Sequence, residues 1–161
     1  MFKIGDLAVY PTQGVGVIEA IEVREFLGEN HDFYVLRMVD NDMKIMIPVT
    51  NAGGVGMRCL IAKERVPSVY GVLEERTKES AALASWSRRQ REYNEKIKSG
   101  DLLEVAAVFR ELHLLKGGKE LSYGEKKVLD LARKLLVKEI ALAEGAEEEL
   151  VFQRLEKIFL H

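Results

Sequence analysis

Hydrophobic and polar positions follow two different periods along this chain, and the change falls near residue 60. Before that point, apolar residues come in short runs that are rich in β-branched side chains and separated by turns, a pattern typical of β-strands. The predicted strands lie at residues 7–10, 15–23, 33–39 and 43–47. Because four or five short strands bury their apolar side chains best by curling, we expect a small barrel in which Pro48 marks an exposed or edge position.

Beyond residue 60 the apolar residues recur at helical spacing. The sequence predicts about five helices, at residues 64–75, 85–98, 101–116, 122–144 and 147–158. Ser122 and Glu125 form a capping box, Asp101 opens an acidic analogue of one, and Ser99-Gly100 is typical of a helix end. The expected fold class is therefore α+β, with a small N-terminal β-barrel at residues 1–60 and an all-α bundle of about five helices at residues 61–161.

The composition indicates a folded protein that does not span a membrane. A chain of 161 residues with 47% hydrophobic residues can bury a core. No apolar run approaches the ~20 residues of a membrane span, and the first residues do not form a signal peptide. We expect a cytoplasmic protein without a membrane partner. The single cysteine, Cys59, excludes an internal disulfide and is expected to be a small buried side chain.

The usual motifs of enzymes and metal sites do not occur in the sequence. No Gly-rich loop ends in Gly-Lys-Ser/Thr, and Gly14-Val15-Gly16 lies in a strand pattern that a bulge or turn explains better than a phosphate-binding loop. The three histidines are scattered, and His113 is expected to pack on its helix or to be partly exposed. We therefore expect no enzymatic activity, no cofactor or metal, and no small-molecule substrate.

The net charge of −2 conceals a local basic segment. Residues 1–60 carry 5 basic and 8 acidic side chains, a balance of −3, whereas residues 86–98 carry 5 basic and 2 acidic ones, a balance of +3. This basic segment contains the only tryptophan of the chain, Trp86, followed by Arg88, Arg89 and Arg91. An aromatic ring among arginines suits insertion at a DNA groove, where the guanidinium groups bind phosphates.

Two interpretations of Trp86 remain open. Trp86, Tyr93 and Ile97 fall on one helical stripe, and a lone tryptophan on such a stripe usually belongs to the core. However, Ser85 is a good N-cap residue, which would make Trp86 the first helical residue and let its side chain project past the helix end. The arginines of that first turn oppose the helix dipole, and a bound anion would compensate them.

Short motifs in both halves occur in an order and spacing that resemble one family. The first half contains GDLAVYP at residues 5–11, GVGVIEAI at 14–21, IP at 47–48 and VGMR at 55–58. The second half contains WSRR at 86–89, SGD at 99–101, LSYGEK at 121–126 and ARKLLV at 132–137. Over nearly its whole length the chain resembles the CarD/CdnL-type bacterial transcription factors.

The resemblance implies that the N-terminal barrel is Tudor/SH3-like and binds the RNA polymerase β subunit. It also implies that the helical domain binds DNA at the upstream edge of the transcription bubble. Trp86 would wedge into the minor groove and stabilise the open promoter complex, with little sequence specificity. The implied DNA-backbone contacts are Arg88, Arg89, Arg91 and Lys126, and the implied polymerase-binding positions are Arg24, Leu36, Met46 and Pro48.

A second class of function also stays open. The chain could be an adaptor whose barrel binds the polymerase or a repair factor and whose helices recruit another protein without touching DNA. In that case Trp86 and Tyr93 would form a protein-binding hot spot.

Overall fold

The structure, a computed structural model, describes residues 2–76, 86–117 and 120–160, and only the backbone of residues 86 and 87. The predictions for Ser85 as an N-cap and for the side chain of Trp86 lie outside the described residues. The chain divides into two compact units, residues 1–60 and 61–161.

Five antiparallel strands form an open, barrel-like sheet in the first unit. They are β1 (Leu7–Tyr10), β2 (Gly14–Phe26), β3 (Glu29–Met38), β4 (Lys44–Pro48) and β5 (Arg58–Cys59). Their spatial order is β4-β3-β2-β1-β5, so β4 is an edge strand of this sheet and the edge position predicted for Pro48 is confirmed. The buried face carries the core of the unit, which includes Ala8, Ile18, Tyr34, Leu36, Met38 and Ile47.

The hairpin between β2 and β3 is longer than the sequence predicts. Phe26 pairs with Glu29 across Leu27 and Gly28, whose φ values are 51° and 80°. Two successive residues with positive φ give the turn that suits the twist of a two-residue hairpin. The prediction ended this strand at residue 23, where the run of apolar and β-branched residues ends. A leucine is an unusual residue for a turn position with positive φ, so Leu27 does not mark the turn in the sequence.

The Gly14-Val15-Gly16 segment is the start of β2, and the prediction of a bulge or turn there is wrong for Gly16. Gly16 pairs with Ala8 on one side and Met38 on the other. A Cβ at this position would lie 2.7 Å from Leu36 Cγ, so the glycine allows two strands to pack closely. The register shift of β2 lies further along, between Ile18 and Ala20.

Five helices are present in the described part of the second unit, and the predicted α+β fold class is confirmed. They are α1 (Val66–Glu74), α2 (Trp86–Lys98), α3 (Leu102–Lys116), α4 (Tyr123–Glu144) and α5 (Glu148–Ile158). Their apolar stripes meet in one core, which includes Leu73, Tyr93, Ile97, Phe109, Leu112, Leu136, Ile140 and Leu155. None of these helices is long and apolar enough to cross a membrane.

The helix ends follow the sequence signals. Ser122 and Glu125 form the predicted capping box at the start of α4, and Asp101 accepts a hydrogen bond from the Leu103 N–H at the start of α3. Gly145 ends α4 with a φ of 66°. These caps satisfy amide and carbonyl groups that the helices leave unpaired, so each helix starts or stops at a defined residue.

Two smaller predictions have different outcomes. Cys59 is exposed, and the prediction of a buried side chain is wrong because the two-residue edge strand β5 turns the thiol to solvent. His113 packs as predicted: its ring stacks on Phe159 with 4.3 Å between centroids, and its Nε2 lies 3.3 Å from a carboxylate oxygen of Glu156.

Candidate nucleic-acid interface

Helix α2 begins at Trp86 and carries the basic segment. Tyr93 and Ile97 are buried in the helical core, so this part of the predicted stripe faces inward. Because only 1% of Tyr93 is exposed, it has no surface to offer a partner, and its predicted part in a protein-binding hot spot is wrong.

Arg88 and Arg91 lie on the solvent side of α2. The Arg88 side chain is 77% exposed, and its Nε lies 3.8 Å from Glu92 Oε1, one turn further along the helix. Arg91 is exposed as well. A surface ion pair of this kind contributes little to stability, so a phosphate can easily replace the Glu92 carboxylate as the partner of Arg88. Both guanidinium groups are therefore accessible to an anion, as the prediction requires.

Arg89 has a different environment from the one predicted. Its Nη1 donates to Glu125 Oε2 at 3.0 Å, and the two side chains are only 7% and 3% exposed. Arg89 lies four residues before Tyr93, so helical geometry places the two on the same inner face. In this conformation the guanidinium binds a carboxylate inside the protein instead of presenting itself to a phosphate.

Glu125 connects this arginine to the start of α4. Its Oε1 accepts a hydrogen bond from the Ser122 N–H at 2.9 Å, while its own N–H donates to Ser122 Oγ at 3.2 Å. The same carboxylate therefore caps α4 and pairs with Arg89 of α2. As a result, the first turns of the two helices meet.

The start of α4 adds exposed groups that the sequence analysis largely missed. Tyr123, the first residue of the helix, is 81% exposed, and Lys127 is exposed beside Lys126. Lys126 Nζ lies 3.8 Å from Glu120 Oε1, with half of its side chain open to solvent. An aromatic residue at a helix start followed by two lysines repeats the pattern of α2, which is the signal that could have identified this segment.

Tyr93 extends the buried polar contacts toward α3. Burial, together with the negative charge of Glu111 on α3, raises the pKa of Tyr93 to about 12, while Arg89 opposes the shift. The phenol therefore stays protonated near neutral pH. Arg89, Tyr93, Glu111 and Glu125 thus bring polar groups of α2, α3 and α4 together.

The predicted polymerase-binding residues divide into two groups. Arg24 lies on β2 beyond the part that β1 covers, exposed and paired with Glu22 at 2.8 Å. Met46 and Pro48 lie on the edge strand β4, the first exposed and the second half-buried. These three are placed where a partner can reach them.

Leu36 is the exception. Its side chain is completely buried in the core of the first unit, on β3, which is paired with β2 and β4 on both sides. A leucine in this position supports the sheet from within. The expectation that Leu36 forms part of the binding edge is therefore corrected.

In the described ranges, no group of three or more His, Cys, Asp or Glu side chains could hold a metal ion. The structure presents instead an accessible edge strand in one unit and two basic helix starts in the other. These features are typical of a binding protein with two separate contact surfaces.

Comparison with known families identifies the class. Residues 2–60 match the family model "CarD-like/TRCF RID domain", and residues 68–156 match "CarD, C-terminal domain". The chain belongs to the CarD family of transcription regulators.

Two individual proteins show the extent of the similarity. The Bacillus subtilis (strain 168) protein named "Putative transcription factor YdeB" is 36% identical over 151 residues, which covers 94% of this chain and 97% of that protein. A solved structure described as "CdnLNt from Myxoccoccus xanthus" is 52% identical, and the match covers 38% of this chain and 86% of that one, with a TM-score of 0.33.

Proposed function

We propose that this protein stabilises open promoter complexes while bound to RNA polymerase. The barrel of residues 1–60 binds the polymerase β subunit, and the helical unit of residues 61–161 binds promoter DNA at the upstream edge of the bubble. Trp86 wedges into the minor groove there. This role would keep the protein in the cytoplasm, on the nucleoid.

The observation that carries the DNA-binding part is the meeting of the first turns of α2 and α4. The ion pair between Arg89 and Glu125 holds these turns together. Around it, the exposed residues of both helix starts gather positive charge and an aromatic ring, from Arg88, Arg91, Tyr123, Lys126 and Lys127. The only tryptophan of the sequence begins one of the two helices. Amide groups at helix starts and basic side chains both favour phosphates.

The polymerase-binding part is supported by the edge strand β4. An edge strand can add to a strand of a partner through main-chain hydrogen bonds, with little demand on sequence. Met46 and Pro48 lie on this strand, and Arg24 is exposed on the long hairpin. The matched family description also groups this unit with a domain of the transcription-repair coupling factor.

The two contacts depend on each other energetically. A patch of a few basic side chains binds DNA weakly and in a salt-dependent manner. Attachment to the polymerase raises the local concentration of the helical unit at the promoter, so weak contacts suffice. A wedge that binds only unstacked or bent DNA then shifts the equilibrium toward the open complex. No cofactor or turnover is needed for this effect.

Tryptophan fluorescence tests the proposal, because Trp86 is the only tryptophan in the chain. Titration with a promoter fork, which has a duplex–single-strand junction, should shift or quench its emission, whereas a closed duplex of the same sequence should have a much smaller effect. Unchanged emission with both DNAs, together with retained polymerase binding, would favour the adaptor function instead.

A further inference from the structure

We propose that Arg89 is a positioning residue: its buried ion pair with Glu125 fixes the first turn of α2, and hence the backbone of Trp86, against the first turn of α4. The effect of this positioning on open promoter complexes rests on the proposed function. The positioning itself concerns only the helical unit.

The placement of Arg89 allows this role. Arg89 follows Trp86 by three residues, so both belong to the first turn of α2. Arg88, in the same turn, is 77% exposed, and its ion pair with Glu92 lies within α2, so that pair does not connect α2 to α4. The buried core contacts of Tyr93 and Ile97 lie one and two turns further along the helix. Within the described side chains of this first turn, Arg89 thus provides the buried contact.

Glu125 is a rigid anchor for this contact. Two hydrogen bonds of the capping box hold Glu125. The Ser122 N–H donates to Glu125 Oε1, and the Glu125 N–H donates to Ser122 Oγ. The carboxylate cannot move away from Arg89 without breaking the cap of α4. A charged donor that binds a fixed carboxylate is restricted in both its distance from the carboxylate and its direction. The first turn of α2 therefore has one favoured position relative to α4.

Stability alone does not account for such a pair. Burying two charges costs desolvation energy, and replacing a buried ion pair by apolar groups of similar volume is often neutral or stabilising. An apolar replacement would not fix the relative orientation of the two helix starts, because packing contacts tolerate small shifts that an ion pair does not. A wedge that must meet one base step needs its backbone held in place.

The test separates positioning from folding. In the double variant Arg89→Met with Glu125→Gln, methionine replaces the aliphatic stem of arginine, and glutamine keeps the capping box without the charge. Time-resolved fluorescence anisotropy of Trp86 in the full chain then measures local motion on the nanosecond timescale. We expect the variant to keep its helical circular dichroism and urea midpoint while Trp86 depolarises faster than in the wild type.

A second buried arginine supplies the matched control. Arg110 of α3 donates to Glu75 Oε2 at 3.0 Å and to the Val72 carbonyl at 3.0 Å, with only 9% of its side chain exposed. The variant Arg110→Met with Glu75→Gln removes another pair between a buried arginine and a glutamate of the helical unit, in which the Glu75 side chain is 58% exposed. It should leave the anisotropy decay of Trp86 unchanged. Equal loosening in both double variants would overturn the proposal.

Other outcomes are equally decisive. A folded Arg89→Met/Glu125→Gln variant with the wild-type anisotropy decay would contradict positioning. If that variant does not fold, Arg89→Lys takes its place with the same readout, since lysine keeps the charge but not the planar geometry of the guanidinium.

The promoter assay links positioning to function. With polymerase, the lifetime of the open complex should fall about tenfold in the Arg89 double variant, which corresponds to ~1.4 kcal/mol. An unchanged lifetime in Trp86→Ala would refute the proposed function, whereas the anisotropy measurement, which contains no DNA, would still decide the role of Arg89.

Discussion

Gly16 of β2 and Leu36 of β3 pack so closely that a Cβ at Gly16 would lie 2.7 Å from Leu36 Cγ and 3.1 Å from the Arg37 carbonyl oxygen. Because Leu36 is fully buried, it has no room to withdraw. We expect Gly16→Ala to lower the free energy of unfolding by ~1–3 kcal/mol, the usual range for overpacking. Urea denaturation measures this change.

The control for this substitution is Gly71→Ala. Gly71 lies in α1, and no heavy atom lies within 4 Å of the position its Cβ would take. Alanine should raise the free energy of unfolding there by ~0.5–1 kcal/mol, because it restricts the unfolded chain. Equal effects at both positions would mean that the Gly16–Leu36 approach does not limit the sheet.

Leu36 and Met46 should respond to substitution in opposite ways. Leu36→Ala leaves a cavity in the core of the first unit and should lower the free energy of unfolding by ~2–5 kcal/mol. Met46→Glu places a charge on an exposed edge strand, so it should leave stability nearly unchanged and weaken binding to the polymerase β subunit. Urea denaturation and a binding titration with the β subunit measure the two effects. A stable Leu36→Ala variant that lost polymerase binding would show that Leu36 belongs to the interface after all.

The exposed arginines of α2 should determine the salt dependence of DNA binding. Each phosphate contact contributes about 0.9 to the slope of log K against log salt concentration on duplex DNA. We expect Arg88→Gln with Arg91→Gln to reduce the magnitude of that slope by roughly 1–2 in a fluorescence titration with fork DNA.

Arg154→Gln is the matched control, since Arg154 pairs with Glu144 at the far end of α4 from Glu125. Glu125 and Glu144 are 19 positions apart, which corresponds to roughly 28 Å of helix. This variant should keep the wild-type slope. A similar decrease of the slope in Arg154→Gln and in Arg88→Gln/Arg91→Gln would mean that the DNA-contact surface is not at the helix starts.

His113 should make the helical unit less stable in mild acid. Burial lowers the pKa of His113 below its ordinary value, although the nearby Glu156 carboxylate opposes the shift. The unfolded chain therefore binds a proton first as the pH falls through ~6.5. Above that pH the contribution of His113 to stability is fully present. Below it, protonation of this group lowers the free energy of unfolding by at most ~1.4 kcal/mol per pH unit.

His113→Phe removes the titration and keeps a ring to stack on Phe159. Urea denaturation between neutral and mildly acidic pH should show a flatter profile for the variant than for the wild type. Parallel profiles would rule out His113 as the source of the pH dependence.

The sequence was sufficient for the features that depend on local patterns. The change of period near residue 60 predicted the fold class, and short-range side-chain signals predicted the capping box of Ser122 and Glu125, which the structure contains. Apolar spacing also identified Tyr93 and Ile97 as neighbours on one face of α2. Each of these signals acts within a few residues, so no tertiary information is needed to recognise it.

The features that the sequence did not reveal depend on contacts between distant residues. Arg89 and Glu125 are 36 positions apart, and nothing near either one shows that they pair. The exposure of a residue such as Leu36 likewise depends on which strands flank it. A run of arginines therefore indicates positive charge, but the fold decides which of them faces solvent.

The lifetime of the open promoter complex in the presence of Trp86→Ala is the most direct test of the proposed function. We expect the variant to bind the polymerase as the wild type does and to lose most of the stabilisation of the open complex. An unchanged lifetime, with the variant folded and bound to the polymerase, would contradict the wedge role of Trp86.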